Sequence, residues 1–382
     1  MADEENAYTF TTTATRSITL GNLPADGMHM WRGGRLPEVT LAYESWGELS
    51  PSADNAIIIF TGLSPSAHAA SSTEDSSPGW WEYMIGPGKA IDTNRFFVVC
   101  ANSLGGCYGS TGPGSVNPET GQGYGADFPD VTVEDIASSG YYLMRELGVE
   151  KIHAAVGSSM GGMSSIAYAM QYPGEIKYLI SISAATQALP LTIALRSLQR
   201  EIIRSDPDWN NGHYSDDTRP LSGMSLARKL GLVSYRAADE WNSKFDRSRL
   251  PPEKLSGKRF EREFEIENYL EYNAQKFIHS FDPNSYLYLS RAMDWFDIAE
   301  HGDSISDGMS KLDVEKALVV GVTTDILFPA RQQKEIADVM RATGTDVDYV
   351  EIDSVNGHDA FLIDDEHFSP VVKKFLDAST TG

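Results

Sequence analysis

A short apolar segment that ends in a glycine-flanked serine constrains the fold of this chain more than any other feature. Residues 151–156 (KIHAAV) have the composition of a buried strand, and the motif Gly157-x-Ser159-x-Gly161 follows them directly. A helical stretch then runs to about Gln171. A serine at such a sharp strand-to-helix turn is lifted above the sheet, and small neighbours prevent clashes with its strained backbone. We expect Ser159 to be a nucleophile; a glycine-rich turn without chemistry is the alternative.

Short apolar segments alternate with helical ones on both sides of this turn. Strands are predicted at 38–45, 56–60, 96–100, 177–183, 317–321 and 347–352, and helices at 133–147 and 331–342. This alternation indicates a mostly parallel sheet that is covered on both faces. The stretch from Leu189 to about Gly308 lacks such strands and has helical segments instead, at 191–204, 222–230 and 264–279. We therefore expect an α/β core, residues 1–186 and 311–382, and an inserted helical lid, residues 187–310.

An acid and a histidine follow the lid in the order that a catalytic triad of this type requires. Asp325 comes just after the apolar strand 317–321, where a carboxylate would project from the sheet edge. His358 lies in a loop after the last strand, and it would accept the proton of Ser159 while Asp325 fixes the imidazole tautomer. Together with the serine turn, these positions predict an α/β-hydrolase fold with an inserted helical lid.

The loop after the strand 56–60 is the candidate source of a second oxyanion donor. It reads Thr61-Gly62-Leu63-Ser64-Pro65. We assign the N–H groups of Leu63 and Met160 to the oxyanion hole, with Gly62 allowing close approach of the backbone. An ordinary β-turn is the alternative. Among the other histidines, His68 lies near this loop and stays a candidate for the site.

The formal net charge of −23 restricts the possible partners. Such a surface repels nucleic-acid phosphates and anionic lipids, so an anionic ligand would need a local basic site. The two cysteines, Cys100 and Cys107, are too few for a disulfide framework, and no spacing matches a zinc site. No segment has the roughly 18 apolar residues that span a bilayer, and the N-terminal residues lack the pattern of a secretory signal. We expect a cytoplasmic enzyme without a metal or an organic cofactor.

Seven segments together resemble one enzyme family. They are LAYESWG (41–47), TGLSPSAHA (61–69), PGKAIDT (87–93), NSLGGCYGSTGP (102–113), GSSMGGM (157–163), TDILFP (324–329) and GHDAF (357–361). The chain resembles the homoserine/serine O-acyltransferases from about residue 30 to its end. The segments 62–65, 188–204, 206–214 and 281–297 are most similar to the branch that succinylates serine. The resemblance implies succinyl-CoA as co-substrate, L-serine as acceptor and a homodimer formed through the lid.

The resemblance also implies a ping-pong route and roles for further residues. Ser159 would carry the acyl group while CoA leaves, and the amino acid hydroxyl would then attack with His358 as base. Arg228 matches the arginine that binds the amino acid carboxylate, and Asp359 matches the residue that holds its ammonium group. An exposed lid arginine and a helix N-cap are the alternatives for these two residues. The loop residues expected beside the substrate are Gly62, Ser64 and Pro65.

A succinyl group would bring a second carboxylate, which needs a cationic partner in a buried site. Arg196, Arg200 and Arg204 are four residues apart and therefore share one helix face. We hypothesise that Arg196 pairs with the succinyl carboxylate, because its place in the resembling segment fits that role. The phosphates of CoA are another candidate ligand for this face. The alternative is a solvated basic face that pairs with nearby acids, namely Glu201, Asp206 and Asp208.

Three other functions compete with serine succinylation. Homoserine O-acetyltransferase or O-succinyltransferase activity needs an acceptor with one extra methylene, which is worth only about 1–3 kcal/mol of discrimination. A serine esterase would release acid without an amino acid. A non-catalytic binding protein is disfavoured, because the serine, acid and histidine are all in place.

Overall fold

A central sheet of eight strands organises the protein in the computed structural model, which describes residues 11–379 apart from the side chain of Asp216. Residues 1–10, which belong to the segment predicted to lack a secretory signal, lie outside the described residues, as do residues 380–382. The strands are β1 (Arg16–Thr19), β2 (Thr40–Trp46), β3 (Ala56–Phe60), β4 (Phe97–Ala101), β5 (Ile152–Ser158), β6 (Ile176–Ile182), β7 (Lys316–Val322) and β8 (Val347–Ile352).

The strand order across this sheet is β1-β2-β4-β3-β5-β6-β7-β8. Strand β2 runs antiparallel to both of its neighbours, β1 and β4. The pairs from β4 through β3, β5, β6 and β7 to β8 are all parallel. The mostly parallel sheet predicted from the sequence is confirmed. Two short strand pairs lie outside it, Met28–His29 with Arg35–Leu36 and Ile85–Gly86 with Ile91–Asp92.

Helices cover both faces of the sheet, which explains why its inner strands are apolar on both sides. In β3, Ile58 and Phe60 belong to one buried cluster, while Ile57 and Ile59 belong to the cluster on the other face. The helices are α1 (Val133–Glu146), α2 (Met160–Gln171), α3 (Pro190–Ser205), α4 (Leu221–Tyr235), α5 (Ala238–Phe245), α6 (Glu265–Ile278), α7 (Pro283–Trp295), α8 (Ile305–Met309), α9 (Ala330–Ala342), α10 (Ala360–Ile363) and α11 (Asp365–Ala378). Short 3₁₀ helices occur at Gly125–Asp127, Pro207–Gly212, Asp216–Thr218, Pro252–Lys254, Ile298–His301 and Gly357–Asp359.

The helices α3 to α8 lie between β6 and β7, two strands that are neighbours in the sheet. Residues 183–315 connect these strands, and the predicted lid, 187–310, falls within this connection. Helix α3 packs on α4 and α7, and α4 packs on α6. The helical insertion therefore forms a packed layer of its own beside the sheet.

The loops that follow β5, β7 and β8 meet at the carboxyl edge of the sheet, where ligands bind in open α/β folds. Ser159, Asp325 and His358 lie in these three loops. Within residues 11–379, no helix is both long enough and apolar enough to cross a membrane.

Candidate active site

Ser159 lies at a turn whose backbone few residues adopt. Its φ is 57° and its ψ is −123°, and its N–H donates to the carbonyl of Ile182 on β6. A Cβ on Gly157 would lie 2.0 Å from the carbonyl oxygen of Gly161, and a Cβ on Gly161 would lie 2.1 Å from that of Phe60. Helix α2 therefore approaches both β5 and β3 so closely that both positions require glycine. This contact holds the Ser159 hydroxyl above the sheet edge.

The structure brings Ser159, His358 and Asp325 into one hydrogen-bonded chain. His358 Nε2 lies 2.9 Å from Ser159 Oγ, and His358 Nδ1 lies 2.7 Å from Asp325 Oδ2. The other carboxylate oxygen, Asp325 Oδ1, accepts hydrogen bonds from the N–H groups of Leu327 and Phe328, each at 2.9 Å. These two bonds fix the carboxylate, which is fully buried, so that it can orient the imidazole.

The surroundings of His358 favour its role as a base. Burial acts to lower the pKa of His358, but the charge and the hydrogen bond of Asp325 outweigh it, so the pKa lies above the ordinary value. The rings of Phe328 and Phe361 lie 5.1 Å and 5.4 Å from the imidazole, centroid to centroid. With Nδ1–H donating to Asp325, Nε2 is free to accept the proton of Ser159.

The two N–H groups assigned to the oxyanion hole are those of Met160 and Leu63. Met160 begins α2, and Leu63 follows β3 next to Gly62. Among the described residues, neither N–H donates to a protein acceptor. A hydrogen bond of 2.9 Å between the hydroxyls of Thr61 and Ser103 ties the Leu63 loop to the loop after β4. The geometry therefore leaves two donors available beside Ser159, and their role in stabilising an oxyanion stays a prediction.

A cavity of about 140 Å³ opens above Ser159, between the sheet edge and the helical insertion. The core contributes Gly62, Leu63, Ser64, Pro65, Ser159, Leu327, Phe328, His358, Asp359, Phe361 and Leu362. The insertion contributes Leu195, Arg196, Gln199, Arg228, Ser234, Tyr235, Tyr286, Ser290 and Met293. Every predicted site residue except Met160 and Asp325 lines this cavity; Met160 directly follows Ser159, and Asp325 is hydrogen-bonded to His358.

Arg228 brings an unneutralised charge into the cavity. Its guanidinium lies over the ring of Phe277 at 4.2 Å and near that of Tyr235 at 5.7 Å. Its Nε is buried without a hydrogen-bond partner, and no carboxylate of the described residues lies within 4.0 Å of it. A cation that is held by aromatic rings and has no carboxylate in direct contact is suited to bind a substrate carboxylate.

Asp359 lines the same cavity, but the lid also holds it. Arg236 donates from Nε to Asp359 Oδ2 at 2.9 Å and from Nη1 to Glu240 Oε1 at 2.6 Å. The Asp359 carboxylate makes no capping hydrogen bond to α10, so the alternative role as an N-cap is not seen. Burial raises the pKa of Asp359, and the charges of Arg236, His358 and Arg228 oppose this rise.

Arg196 is buried and pairs with an acid that the sequence did not indicate. Its Nε donates to Asp294 Oδ1 at 2.6 Å, and Arg200 Nη2 lies 2.7 Å from Asp294 Oδ2. Two guanidinium groups thus share one carboxylate. The Nη2 of Arg196 is buried without a hydrogen-bond partner, while its side chain lines the cavity. The acids first considered as its partners were Glu201, Asp206 and Asp208, and none of them forms this pair.

Comparisons with known proteins agree with this geometry. Residues 55–364 match the family described as the alpha/beta hydrolase fold. The chain is 55% identical over 350 residues to "Serine O-succinyltransferase" of Litchfieldella anticariensis, covering 91% of this chain and 95% of that protein. A protein of the same name from Frateuria aurantia is 54% identical over 349 residues, with the same coverage. The chain belongs to the homoserine/serine O-acyltransferase family.

Solved structures place this acyltransferase on the same fold. The homoserine O-acetyltransferase from Bacillus anthracis superposes with a TM-score of 0.86 at 28% identity, covering 96% of this chain and 98% of that one. Esterase E22 superposes with a TM-score of 0.84 at 29% identity, covering 95% and 99%. The predictions of an α/β-hydrolase fold and of an acyltransferase are confirmed.

Three residues that support or line the cavity of the acyltransferase were not predicted from the sequence. Asp294 anchors Arg196 and Arg200, Arg236 holds Asp359, and Tyr286 contributes a fully buried ring to the cavity. Asp294 and Tyr286 lie in the resembling segment 281–297, but no local pattern gave them a role, because Asp294 and Arg236 have partners far away in the sequence. The sequence feature that could have indicated Asp294 was the group of arginines on α3, because a buried arginine needs an acidic partner.

His68 does not line the cavity. Its Nδ1 lies 2.9 Å from Glu44 Oε2 and its Nε2 lies 3.0 Å from the carbonyl oxygen of Ser77. Glu44 Oε1 also accepts hydrogen bonds from Thr12 and Thr15, so this buried pair joins the first described residues to the sheet. In the part of the chain that the structure describes, no group of three or more His, Cys, Asp or Glu residues is arranged to hold a metal ion.

Proposed function

We propose that this acyltransferase moves the succinyl group of succinyl-CoA to the hydroxyl of L-serine, giving O-succinyl-L-serine and CoA. The observation that carries the proposal is the pair of arginines in the Ser159 cavity. Arg196 and Arg228 each have a buried guanidinium nitrogen without a hydrogen-bond partner, Nη2 in Arg196 and Nε in Arg228, so one arginine is available for each carboxylate of the product. The names of relatives that are 54–55% identical support the same substrates.

The first half-reaction loads the succinyl group on Ser159. His358 Nε2 takes the hydroxyl proton as Ser159 Oγ attacks the thioester carbonyl, and the N–H groups of Leu63 and Met160 stabilise the oxyanion. The C–S bond breaks, His358 returns the proton to the sulfur, and CoA leaves. A succinyl ester on Ser159 remains.

The second half-reaction repeats these steps with an amino acid. Arg228 binds its carboxylate and Asp359 binds its ammonium group, which places the hydroxyl near His358. His358 takes the hydroxyl proton, the alkoxide attacks the ester, and Ser159 recovers its proton as the product leaves. The acceptor must compete with water, and fixed orientation provides an effective molarity on the order of 10⁵ M at best. Lid residues around the cavity support such orientation.

Arg196 gives the acyl pocket its preference for a charged chain. Burying the distal carboxylate of succinate without a partner would be unfavourable by several kcal/mol. Asp294 holds Arg196 through Nε and leaves Nη2 for the ligand. An acetyl group has no carboxylate and gains nothing from this charge. The pocket therefore favours succinyl over acetyl donors.

A thiol-release assay with purified protein tests the proposal. It pairs succinyl-CoA and acetyl-CoA with L-serine and L-homoserine, and it includes reactions without acceptor and with Ser159→Ala. We expect the highest kcat/KM for succinyl-CoA with L-serine. A preference for homoserine would overturn the acceptor assignment while leaving the triad intact. Equal thiol release with and without an amino acid would instead identify an esterase.

We further infer that the enzyme is a homodimer formed through its lid. Helix α3 exposes Leu191 and Leu198, and α4 exposes Leu226 and Val233, with exposed fractions of 58%, 50%, 54% and 49%. Each pair is seven residues apart, so each helix carries an apolar stripe on one face. A second copy of the chain would cover these stripes.

We place the reaction in the cytoplasm, because acyl-CoA thioesters are cytoplasmic substrates.

A further inference from the structure

A second cavity of about 470 Å³ lies beside the first one, between α3, α7 and the 3₁₀ helix Gly125–Asp127. In the described part of the chain it is lined by three arginines, Arg200, Arg204 and Arg291, and by the aromatic residues Trp209 and Tyr288. We call these five residues the arginine cleft. No carboxylate of the described residues lines it.

The charge of the arginine cleft contrasts with that of the whole protein, whose formal net charge is −23. Arg204 has no carboxylate within 4.0 Å among the described residues, and Arg200 shares Asp294 with Arg196. Arg291 pairs with Asp130. The cleft therefore keeps an excess of positive charge, which concentrates anions at one place on a surface that otherwise repels them.

The aromatic residues of the arginine cleft are held in place. Trp209 Nε1 donates to Asn284 Oδ1 at 3.0 Å, and the hydroxyl of Tyr288 lies 2.6 Å from the carbonyl oxygen of Phe128. Tyr288 is buried and the guanidinium of Arg291 already lies over its ring at 5.1 Å, so the arginines are the groups that can bind a ligand, and guanidinium groups bind phosphate through paired N–H donors. This lining suits a ligand that contains phosphates.

One side chain connects the arginine cleft with the Ser159 cavity. Arg200 lines the cleft, and its Nη1 donates at 3.2 Å to Ser290, which lines the other cavity. Arg204 is two helical turns from Arg196, about 12 Å along the axis of α3. An extended pantetheine chain is longer than that distance. A single acyl-CoA molecule is therefore long enough to reach both cavities.

We propose that the arginine cleft binds the phosphates of the acyl-CoA donor while the thioester lies at Ser159. This inference rests on the proposed function for the donor, but it does not depend on which acyl group is carried. A free phosphorylated adenosine nucleotide has the same chemistry. The test must therefore separate a donor subsite from a site for an independent effector.

Kinetics with two donors test the cleft. Succinyl-pantetheine carries the same thioester as succinyl-CoA but lacks the phosphate-linked adenosine. We expect Arg204→Gln to raise the KM for succinyl-CoA about tenfold, the loss typical of one charged hydrogen bond. The kcat with succinyl-CoA and all constants with succinyl-pantetheine should not change. Arg249→Gln is the matched control, because Arg249 is an exposed arginine of the insertion that lines neither cavity.

Calorimetry provides a readout that does not need turnover. Adenosine 3′,5′-bisphosphate should bind the wild-type protein, compete with succinyl-CoA and bind Arg204→Gln about tenfold more weakly. Equal binding to both proteins, or binding without competition, would overturn the inference. If CoA binding depends on Arg204 but no succinyl transfer occurs, the proposed function fails and the arginine cleft stands.

Discussion

Arg236, at the end of lid helix α4, donates a hydrogen bond to Asp359, the residue that directly follows the histidine of the triad. The lid thus touches the catalytic loop through a charged pair. Asp359 must be ionised to bind an ammonium group. Because burial raises the pKa of Asp359, the charge of Arg236 helps to keep it ionised. We therefore expect Arg236 to act as a positioning residue for the amino acid acceptor.

Removing this arginine should weaken acceptor binding in a pH-dependent way. We expect Arg236→Ala to raise the KM for L-serine about tenfold and to leave the first half-reaction unchanged. The pKa of Asp359 should rise further, so the increase in KM at low pH should begin at a higher pH than in the wild type. Arg236→Lys should restore part of the effect. A pH-independent change in kcat alone would contradict this role.

The pH dependence of kcat/KM should report His358. The base acts in its neutral form, so activity is lost as the pH falls through its pKa. Because Asp325 raises that pKa, the midpoint of the acid limb should lie above the ordinary value of about 6.5. Asp325→Asn should move the midpoint down and lower kcat on the order of 10⁴-fold. An acid limb well below pH 6 in the wild type would argue against the assigned base.

Arg196→Gln should change the choice of donor. We expect kcat/KM with succinyl-CoA to fall by about 100-fold or more, because the distal carboxylate loses its buried partner. The value with acetyl-CoA should change much less. Arg200→Gln is a matched control, since each variant leaves Asp294 with one arginine. Arg200→Gln should change kcat/KM by a similar factor for both donors. If Arg196→Gln also lowers kcat/KM equally for both donors, Arg196 does not contact the acyl chain.

Arg228→Ala should separate the two half-reactions. The burst of CoA release that accompanies formation of the acyl-enzyme should persist, because it needs no acceptor. Transfer to L-serine should fall about 10- to 100-fold in kcat/KM, as expected for one charged hydrogen-bonding partner. Rapid-quench measurements of both steps would test this. A burst that disappears would mean that Arg228 serves the donor instead.

Charges on the exposed stripes of the lid should dissociate the dimer. We expect Leu198→Glu and Leu226→Glu to convert a dimer to a monomer in size-exclusion chromatography with light scattering. Leu255→Glu is the control, because Leu255 is 44% exposed but lies outside the lid helices. A wild-type protein that is already monomeric at micromolar concentration would rule out this interface.

The parts of the site that local sequence encodes were predictable, and those that depend on distant contacts were not. Gly157, Ser159 and Gly161 lie within one turn, so their spacing alone indicates the strand-to-helix geometry. The Arg196–Asp294 pair joins residues 98 positions apart, and Arg236–Asp359 joins residues 123 apart. No local pattern indicates such partners.

The same distinction holds for the fold. The inner strands of the sheet are continuous apolar runs, and their predicted ranges agree with the structure to within a few residues. Strand β1 was not predicted, because it is mostly exposed and Ile18 is the one apolar residue among its four. Helix α7 was not singled out either, since its buried face includes Asn284, Ser285 and Ser290. That helix is determined by its tertiary packing and not by an apolar periodicity in its sequence.

The lid leaves and rejoins the sheet between adjacent strands, since Ile182 at the end of β6 pairs with Val320 of β7. The entropy lost on closing a connection grows only with the logarithm of its length, about 0.6 kcal/mol for each doubling. Insertions or replacements of segments in the lid should therefore change the free energy of folding of the sheet only a little, and the sheet is the part that positions Ser159, Asp325 and His358. In evolution, a new acceptor or donor can be acquired by remodelling the lid while the chemistry is inherited unchanged.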